Sequence, residues 1–123
     1  MRSILLALAI GLAVACGCER PLPPETDPAQ GRAALKTVLD TWASGGSPGD
    51  LKKASPAIIA YDPDWEAGQR LKKYEIDSTD RRMGVDLLVK VTLSLGGPGA
   101  KATDKQVNFT VAIGKETVVL RQQ

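Results

Sequence analysis

Val85, Leu87, Val89, Val91, Leu93 and Leu95 alternate with Asp86, Leu88, Lys90, Thr92 and Ser94. That is the period of two expected of a strand with one apolar face. Val107, Phe109, Val111 and Ile113 repeat the alternation. Gly114-Lys115 then offers a tight turn with glycine at its first central position, leading into a strand from Thr117 to Leu120. Leu71 to Ser78 precedes them as a further strand, with Tyr74 and Ile76 on one side. The pattern predicts three or four antiparallel strands in a meander, and the apolar face of such a sheet must be covered by another element.

Only one segment offers a sizeable cover. Asp27-Pro28-Ala29-Gln30 sets a capping acid before a proline at the first helical position, with glutamine three residues on. Leu35, Val38, Leu39 and Trp42 follow at the spacing of one helical face, and Gly45-Gly46 closes the segment. This predicts a helix over 28–44. Ser47-Pro48-Gly49-Asp50 repeats the capping logic and opens a short helix to about Ala54, stopped by Pro56. Ala57-Ile58-Ile59-Ala60-Tyr61 is a short apolar run, and Asp62-Pro63-Asp64-Trp65-Glu66 reads as a turn or single helical turn. The expected fold is α+β: an N-terminal amphipathic helix over a three- to four-stranded antiparallel meander, spanning 27–123. Helix residues Leu35, Val38, Leu39 and Trp42 are expected to face the odd-numbered residues of 85–95.

The first residues have a different character. Met1-Arg2-Ser3 is a basic start, and Ile4 to Ala15 is an uncharged apolar run, too short to cross a bilayer as a helix. Residues 1–15 have the layout of a secretory signal. A cysteine directly after Ala13-Val14-Ala15 resembles the lipobox of bacterial lipoproteins. The resemblance implies that Cys16 is lipidated and becomes the first mature residue, carrying a diacylglycerol and often a third acyl chain. Cys18 is the alternative acceptor, and an ordinary secretory signal with a nearby cysteine is the alternative reading. Two or more acyl chains anchor firmly where one holds marginally. Gly17 is not the aspartate that retains lipoproteins in the inner membrane of some bacteria, which favours the outer membrane. Residues 16–26, proline-rich and without hydrophobic period, read as an extended spacer on this lipid anchor. The implied location is the cell envelope, facing the periplasm.

A single helix across a long antiparallel sheet resembles the cystatin-like or NTF2-like roll in element order and size. More narrowly, 27–123 resembles small uncharacterised domains of planctomycete-type bacteria, often lipoproteins. The shared features are an early helix ending in Trp, a segment like Asp62-Pro63-Asp64-Trp65-Glu66-Ala67-Gly68, and a later Leu71-x-x-Tyr74. The resemblance implies a fold and an address and carries no activity.

The chemistry is sparse. The chain has no histidine, and its two cysteines lie at 16 and 18. His-dependent general base catalysis, His-ligated metal sites and a thiol site within the domain are thereby excluded. Tyr61 and Tyr74 are the only tyrosines for an acid–tyrosine pair of the kind NTF2-like enzymes use. They are read as packing residues at strand edges. Asp62, Asp64 and Glu66 lack the calcium-loop pattern and read as a capped turn, Asp62 as cap and Trp65 inward. No pair of acids is expected to meet between helix and sheet. Gly96 to Lys101 fails the phosphate-loop pattern and reads as a hairpin loop. No metal or cofactor is expected.

Sixteen basic and 14 acidic residues become 15 and 14 once Arg2 is removed with the signal, a net charge of +1. With two Trp, two Tyr and one Phe, this argues against a nucleic-acid partner. The basic residues Arg70, Lys72, Lys73, Arg81 and Arg82 flank the 71–78 strand. They form either a surface for an anionic partner or a charged edge that discourages aggregation. The leading expectation is a non-catalytic envelope lipoprotein presenting its domain to a protein or wall polymer. The alternative is a binding module holding a small apolar ligand between helix and sheet, in a cavity lined by Leu35, Trp42, Val89 and Phe109. An enzyme would need buried acids or tyrosines in that space. If Cys16 is the acceptor, Cys16→Ser abolishes fatty-acid labelling and membrane retention. Persistent labelling of that variant assigns the lipid to Cys18.

Overall fold

The structure is a computed structural model that describes residues 24–97, 99 and 101–123. The signal layout, Cys16, Cys18 and most of the spacer lie outside the described residues. In chain order the elements are α1 (Pro28–Ala43), α2 (Pro48–Lys52), β1 (Ile58–Tyr61), α3 (Pro63–Glu66), β2 (Arg70–Met83), β3 (Asp86–Gly96), β4 (Thr103–Ile113) and β5 (Thr117–Gln122). They form an α+β fold on one sheet of order β1-β5-β4-β3-β2.

α1 begins as the sequence dictates. The Asp27 carboxylate accepts the Gln30 backbone N–H at 3.0 Å, and Pro28 occupies the first turn, where its missing donor costs nothing. Leu35, Val38, Leu39 and Trp42 are buried with Leu87, Val89, Val91, Leu93 and Leu95 in one core. The expected helix face and the odd-numbered strand face therefore meet. Gly31 marks the closest approach, since a Cβ there would stand 2.7 Å from a Leu87 methyl. Two capping acids organise the rest: Asp50 accepts the Ser47 backbone N–H at 2.9 Å, and Asp62 caps α3.

The sheet corrects the expected three- to four-stranded antiparallel meander. β2 to β5 do form an antiparallel meander, but the 57–61 run adds a fifth strand. β1 pairs in parallel with β5, Ile58 opposite Thr117 and Tyr61 opposite Leu120, so the sheet is mixed. The physical reason is length. Four residues with the burial pattern buried–intermediate–buried–exposed carry almost no alternation signal, and their partner lies more than fifty residues away. β2 is also longer than 71–78, running to Met83 past irregularities between Leu71 and Lys73 and between Ile76 and Asp80. Asp77 to Arg82, before its final Met83, are charged or polar, as suits an edge strand where charge blocks unwanted pairing.

Thr26, read as spacer, belongs to the domain. It is buried; its N–H donates to the Val85 carbonyl at 2.9 Å, and its hydroxyl accepts the Ile113 N–H at 3.3 Å. The chain thus enters at the end of the sheet that holds the β2–β3 and β4–β5 turns. α1 runs from there about 24 Å to the opposite end. Removing a large buried side chain from a core this small costs about 2–5 kcal/mol. Trp42→Ala and Val89→Ala should therefore each lower the thermal unfolding midpoint by several degrees. Unmoved midpoints in both would refute the packing.

Candidate functional site

Two groups of side chains come together where α1 ends, and both depend on the Asp62-Pro63-Asp64-Trp65 segment. The first is apolar. Trp42 of α1 and Trp65 of α3 stack with ring centroids 5.5 Å apart and planes 14° from parallel. Each ring nitrogen donates to a carbonyl, Trp42 to Gln69 at 2.9 Å and Trp65 to Gly46 at 3.2 Å. The pair floors a concavity of about 640 Å³ bordered by Gly46, Glu66, Arg70 and Lys72. A second concavity of about 380 Å³ adjoins it through Gln69 and is bordered by Lys101 and Lys105.

The second group is ionic. Asp62 follows directly on β1 and is 2% exposed. One of its oxygens accepts the backbone N–H of Asp64 at 2.7 Å and of Trp65 at 3.2 Å, and also the Arg121 guanidinium at 3.1 Å. Arg121 pairs with Asp64 as well, and Lys105 reaches Asp64 at 3.2 Å. The second oxygen of Asp62 is buried with no hydrogen-bond partner. Burial pushes the Asp62 carboxyl above its ordinary value despite Arg121 and the two backbone donors. Partial desolvation acts in the same direction on Asp64, but Arg121 and Lys105 outweigh it and hold that carboxyl below its ordinary value.

Asp62 and Asp64 were expected at a capped turn, with no pair of acids meeting between helix and sheet. Asp62 is that cap and is also buried, because its neighbour Arg121 points inward. Phe109 and Arg121 are register partners, and the inward alternation Thr117, Val119, Arg121 runs past Leu120, where the strand was expected to end. A buried cation at that place draws two carboxylates. Glu66 stays exposed and borders the concavity, so the three acids of the segment do not converge. Among the described residues, no group of three or more His, Cys, Asp or Glu is placed to hold a metal ion.

Tyr74 does meet an acid. Its hydroxyl donates to Asp40 at 2.5 Å on the exposed flank between α1 and β2, and Lys36 donates to the same carboxylate at 2.7 Å. Hydrogen bonds from Lys36 and Tyr74 hold Asp40 below its ordinary value, while desolvation and Asp40 raise Tyr74. The tyrosine is thereby kept as a neutral donor. Tyr61 is exposed on the far side of the sheet.

The five basic residues singled out in the sequence do not form one patch. Arg70 and Lys72 border the Trp-floored concavity, and Lys73, opposite Ser94, lies on the outer sheet face beside them. Arg81 is opposite Leu88, six residues along β3 from Ser94, and so about 20 Å away. Arg82 points the other way. It donates to the Thr26 carbonyl at 2.6 Å and pairs with Glu25 at 3.8 Å, fastening the start of the domain. Lys101, which the sequence placed only in a hairpin loop, joins Arg70 and Lys72 at the same end. Of the four side chains named for an apolar ligand cavity, Leu35, Val89 and Phe109 are 0%, 0% and 1% exposed within the core, and only Trp42 borders a concavity.

No known protein family matches the chain, and neither curated proteins nor solved structures match it. Among the described residues, no helix is long and apolar enough to cross a membrane.

Asp62 and Asp64 carry opposite pH signatures. Asp64, with its pKa lowered by folding, contributes stability above the ordinary aspartate pKa that is lost as pH falls through its folded value. Asp62, with its pKa raised, weakens the folded state as pH rises through its folded value. Asp62→Asn keeps the cap acceptor and removes the buried charge. Its stability at neutral pH should lie within about 1 kcal/mol of the parent or above it, converging with the parent as pH falls. Asp62→Ala removes the cap and half of Arg121's compensation and should cost about 2–4 kcal/mol. Urea unfolding between about pH 7 and pH 4 separates these outcomes. Equal losses in both variants would contradict the assignment.

Proposed function

We propose that this chain is a lipid-anchored protein of the bacterial cell envelope. Its domain, a roll of the cystatin-like or NTF2-like type, binds an acidic partner without catalysis. The partner is an anionic wall polymer or the acidic surface of an envelope protein. The observation that carries the reading is the grouping of Arg70, Lys72 and Lys101 around two adjoining concavities, with Lys73 next to them on the outer sheet face; none of the four has an ion pair among the described residues. This basic end lies opposite Thr26, where the chain enters the domain. A tether at Cys16 would leave the groove facing away from the bilayer, into the space where wall polymer and other envelope proteins stand.

The non-catalytic part of the reading is supported by how the acids are occupied. Asp62 and Asp64 are tied to Arg121, Asp40 to Lys36 and Tyr74, and Asp80 to Arg32. Cations without partners beside a preformed concave surface favour long-range attraction of anions, and that attraction is screened by salt.

The test is co-sedimentation of the full chain with isolated wall sacculi, alongside its capture of acidic proteins from detergent-solubilised envelope. Binding should weaken as salt rises from about 0.05 to 0.5 M. The triple variant Arg70→Glu, Lys72→Glu, Lys101→Glu should lose it about tenfold or more while its thermal midpoint stays unchanged. Retention by that variant refutes the reading.

A further inference from the structure

Among the described residues, the large hydrophobic side chains that remain exposed are Tyr61 at 44%, Met83 at 48% and Leu120 at 37%. All three lie on the same surface, the sheet face turned away from α1. The register shows how they join. One row across the sheet reads Tyr61, Leu120, Thr110, Leu88 and Arg81; the next reads Ile59, Val118, Ala112, Asp86 and Met83. Ten positions on five strands thus carry seven apolar side chains besides Thr110, with one cation and one anion. We propose that this face is the interface of a homodimer, in which a second copy packs sheet against sheet about a two-fold axis running along β4.

The charges favour a copy of the chain over other occupants. One cation and one anion give the patch no net sign, so it neither attracts an anionic surface nor complements a strongly charged protein. About an axis along β4, heights along the strands are kept and strand order is reversed, so β3 of one copy faces β5 of the other and β2 faces β1. Leu120 then opposes Leu88 of the second copy, Ile59 opposes Met83, Ala112 opposes itself, and Val118 opposes Asp86, which adjoins the β2–β3 turn at the rim. Arg81 is set over Tyr61, where a guanidinium is attracted to the ring face. The next row places Lys90 opposite Gln122 and Asn108 opposite itself, so no like charges are opposed in these three rows. Such self-complementarity is what an isologous interface requires.

Two rows across five strands and a third across three, with strands about 4.8 Å and rows about 6.8 Å apart, cover roughly 420 Å² per copy, the size of a weak contact that dissociates on dilution. Tethering raises the effective concentration of such a contact. The axis along β4 is also the one that leaves both copies of Thr26 at the same end, as two anchors in one membrane need. That choice of axis rests on the proposed lipid anchor; the apolar face itself does not.

Sedimentation equilibrium of the full chain in density-matched detergent tests the interface. The expected result is twice the chain mass at high concentration, dissociating on dilution, and the same behaviour for Cys16→Ser. Leu120→Glu and Leu88→Lys, each alone, should give the single-chain mass with an unchanged circular dichroism spectrum. Mixed together they should regain twice the chain mass, because the two positions oppose each other across the axis. A single-chain mass for the unaltered protein at all concentrations overturns the dimer. So does dissociation of Cys16→Ser alone, which would assign the association to lipid, or variants that remain paired. A mixture that stays unpaired overturns the axis along β4. None of these outcomes depends on the binding of an acidic partner.

Discussion

A helix with its side chains is about 10–12 Å wide, and strands lie about 4.8 Å apart, so one helix covers little more than two strands. Among the described residues there is a sheet of five strands and a single helix of more than five residues. Much of the rest of the fold follows from that shortage. α1 lies over the central apolar rows, where Val89, Val91 and Phe109 are almost fully buried. The short α3 then contributes Trp65, whose ring stacks on Trp42 and extends the cover beyond the end of α1. On β5, in the row of Phe109 and Val89 and beside α3, the inward residue is no longer aliphatic. It is Arg121, and the carboxylates of Asp62 and Asp64 close over it.

The ionic cluster therefore answers a shortage of cover at this side of the sheet. A buried guanidinium needs paired acceptors, because breaking one side of such a pair leaves an uncompensated charge. Asp62 also caps α3, so the residue that neutralises Arg121 is the one that starts the helical turn presenting Trp65. Capping, stacking and charge compensation share one four-residue segment. The unpaired second oxygen of Asp62 shows that the compensation is incomplete, which accounts for the upward pull of burial on that carboxyl.

Parts of this were legible in the sequence because they are local and periodic. Asp27-Pro28 and the spacing of Leu35, Val38, Leu39 and Trp42 define α1 unaided, and the odd residues from Leu87 to Leu95 define the inner face of β3. Asp62-Pro63 announces α3 in the same way. What could not be read depends on register between distant segments. β1 has four residues and a parallel partner far along the chain. Arg121 continues an inward alternation, but a charge at the end of a strand gives no hint that two acids from another element will meet it. Arg82 sits beside Arg81 in sequence, yet the pleat sends it to the helix side, where it binds the Thr26 carbonyl. Adjacent basic residues on a strand are poor evidence for a common patch, because successive side chains leave on opposite faces. Lys101 shows the converse, coming to the basic end from a loop rather than from the clusters.

The same pleat ties the two surfaces of the sheet together. Each inward aliphatic residue that packs under α1 leaves its neighbour facing outward, and along β3 those neighbours are mostly polar: Lys90, Thr92 and Ser94. The exceptions are confined to the end where the chain enters, namely Leu88 with Leu120, Val118, Ile59 and Tyr61 beside it. The opposite end carries Arg70, Lys72, Lys73 and Lys101. Arg81 is the one cation within the apolar rows; the group of four at the opposite end stands some 20 Å away along the strand axis, beyond a Debye length at physiological salt. A surface that gains by excluding water and one that gains by attracting anions interfere when superimposed, because desolvating a cation is costly. Separation along the strands lets one face pair with a copy of itself while the far end stays solvated and charged. The sheet is long enough to hold both because β2, β3 and β4 each run at least eleven residues.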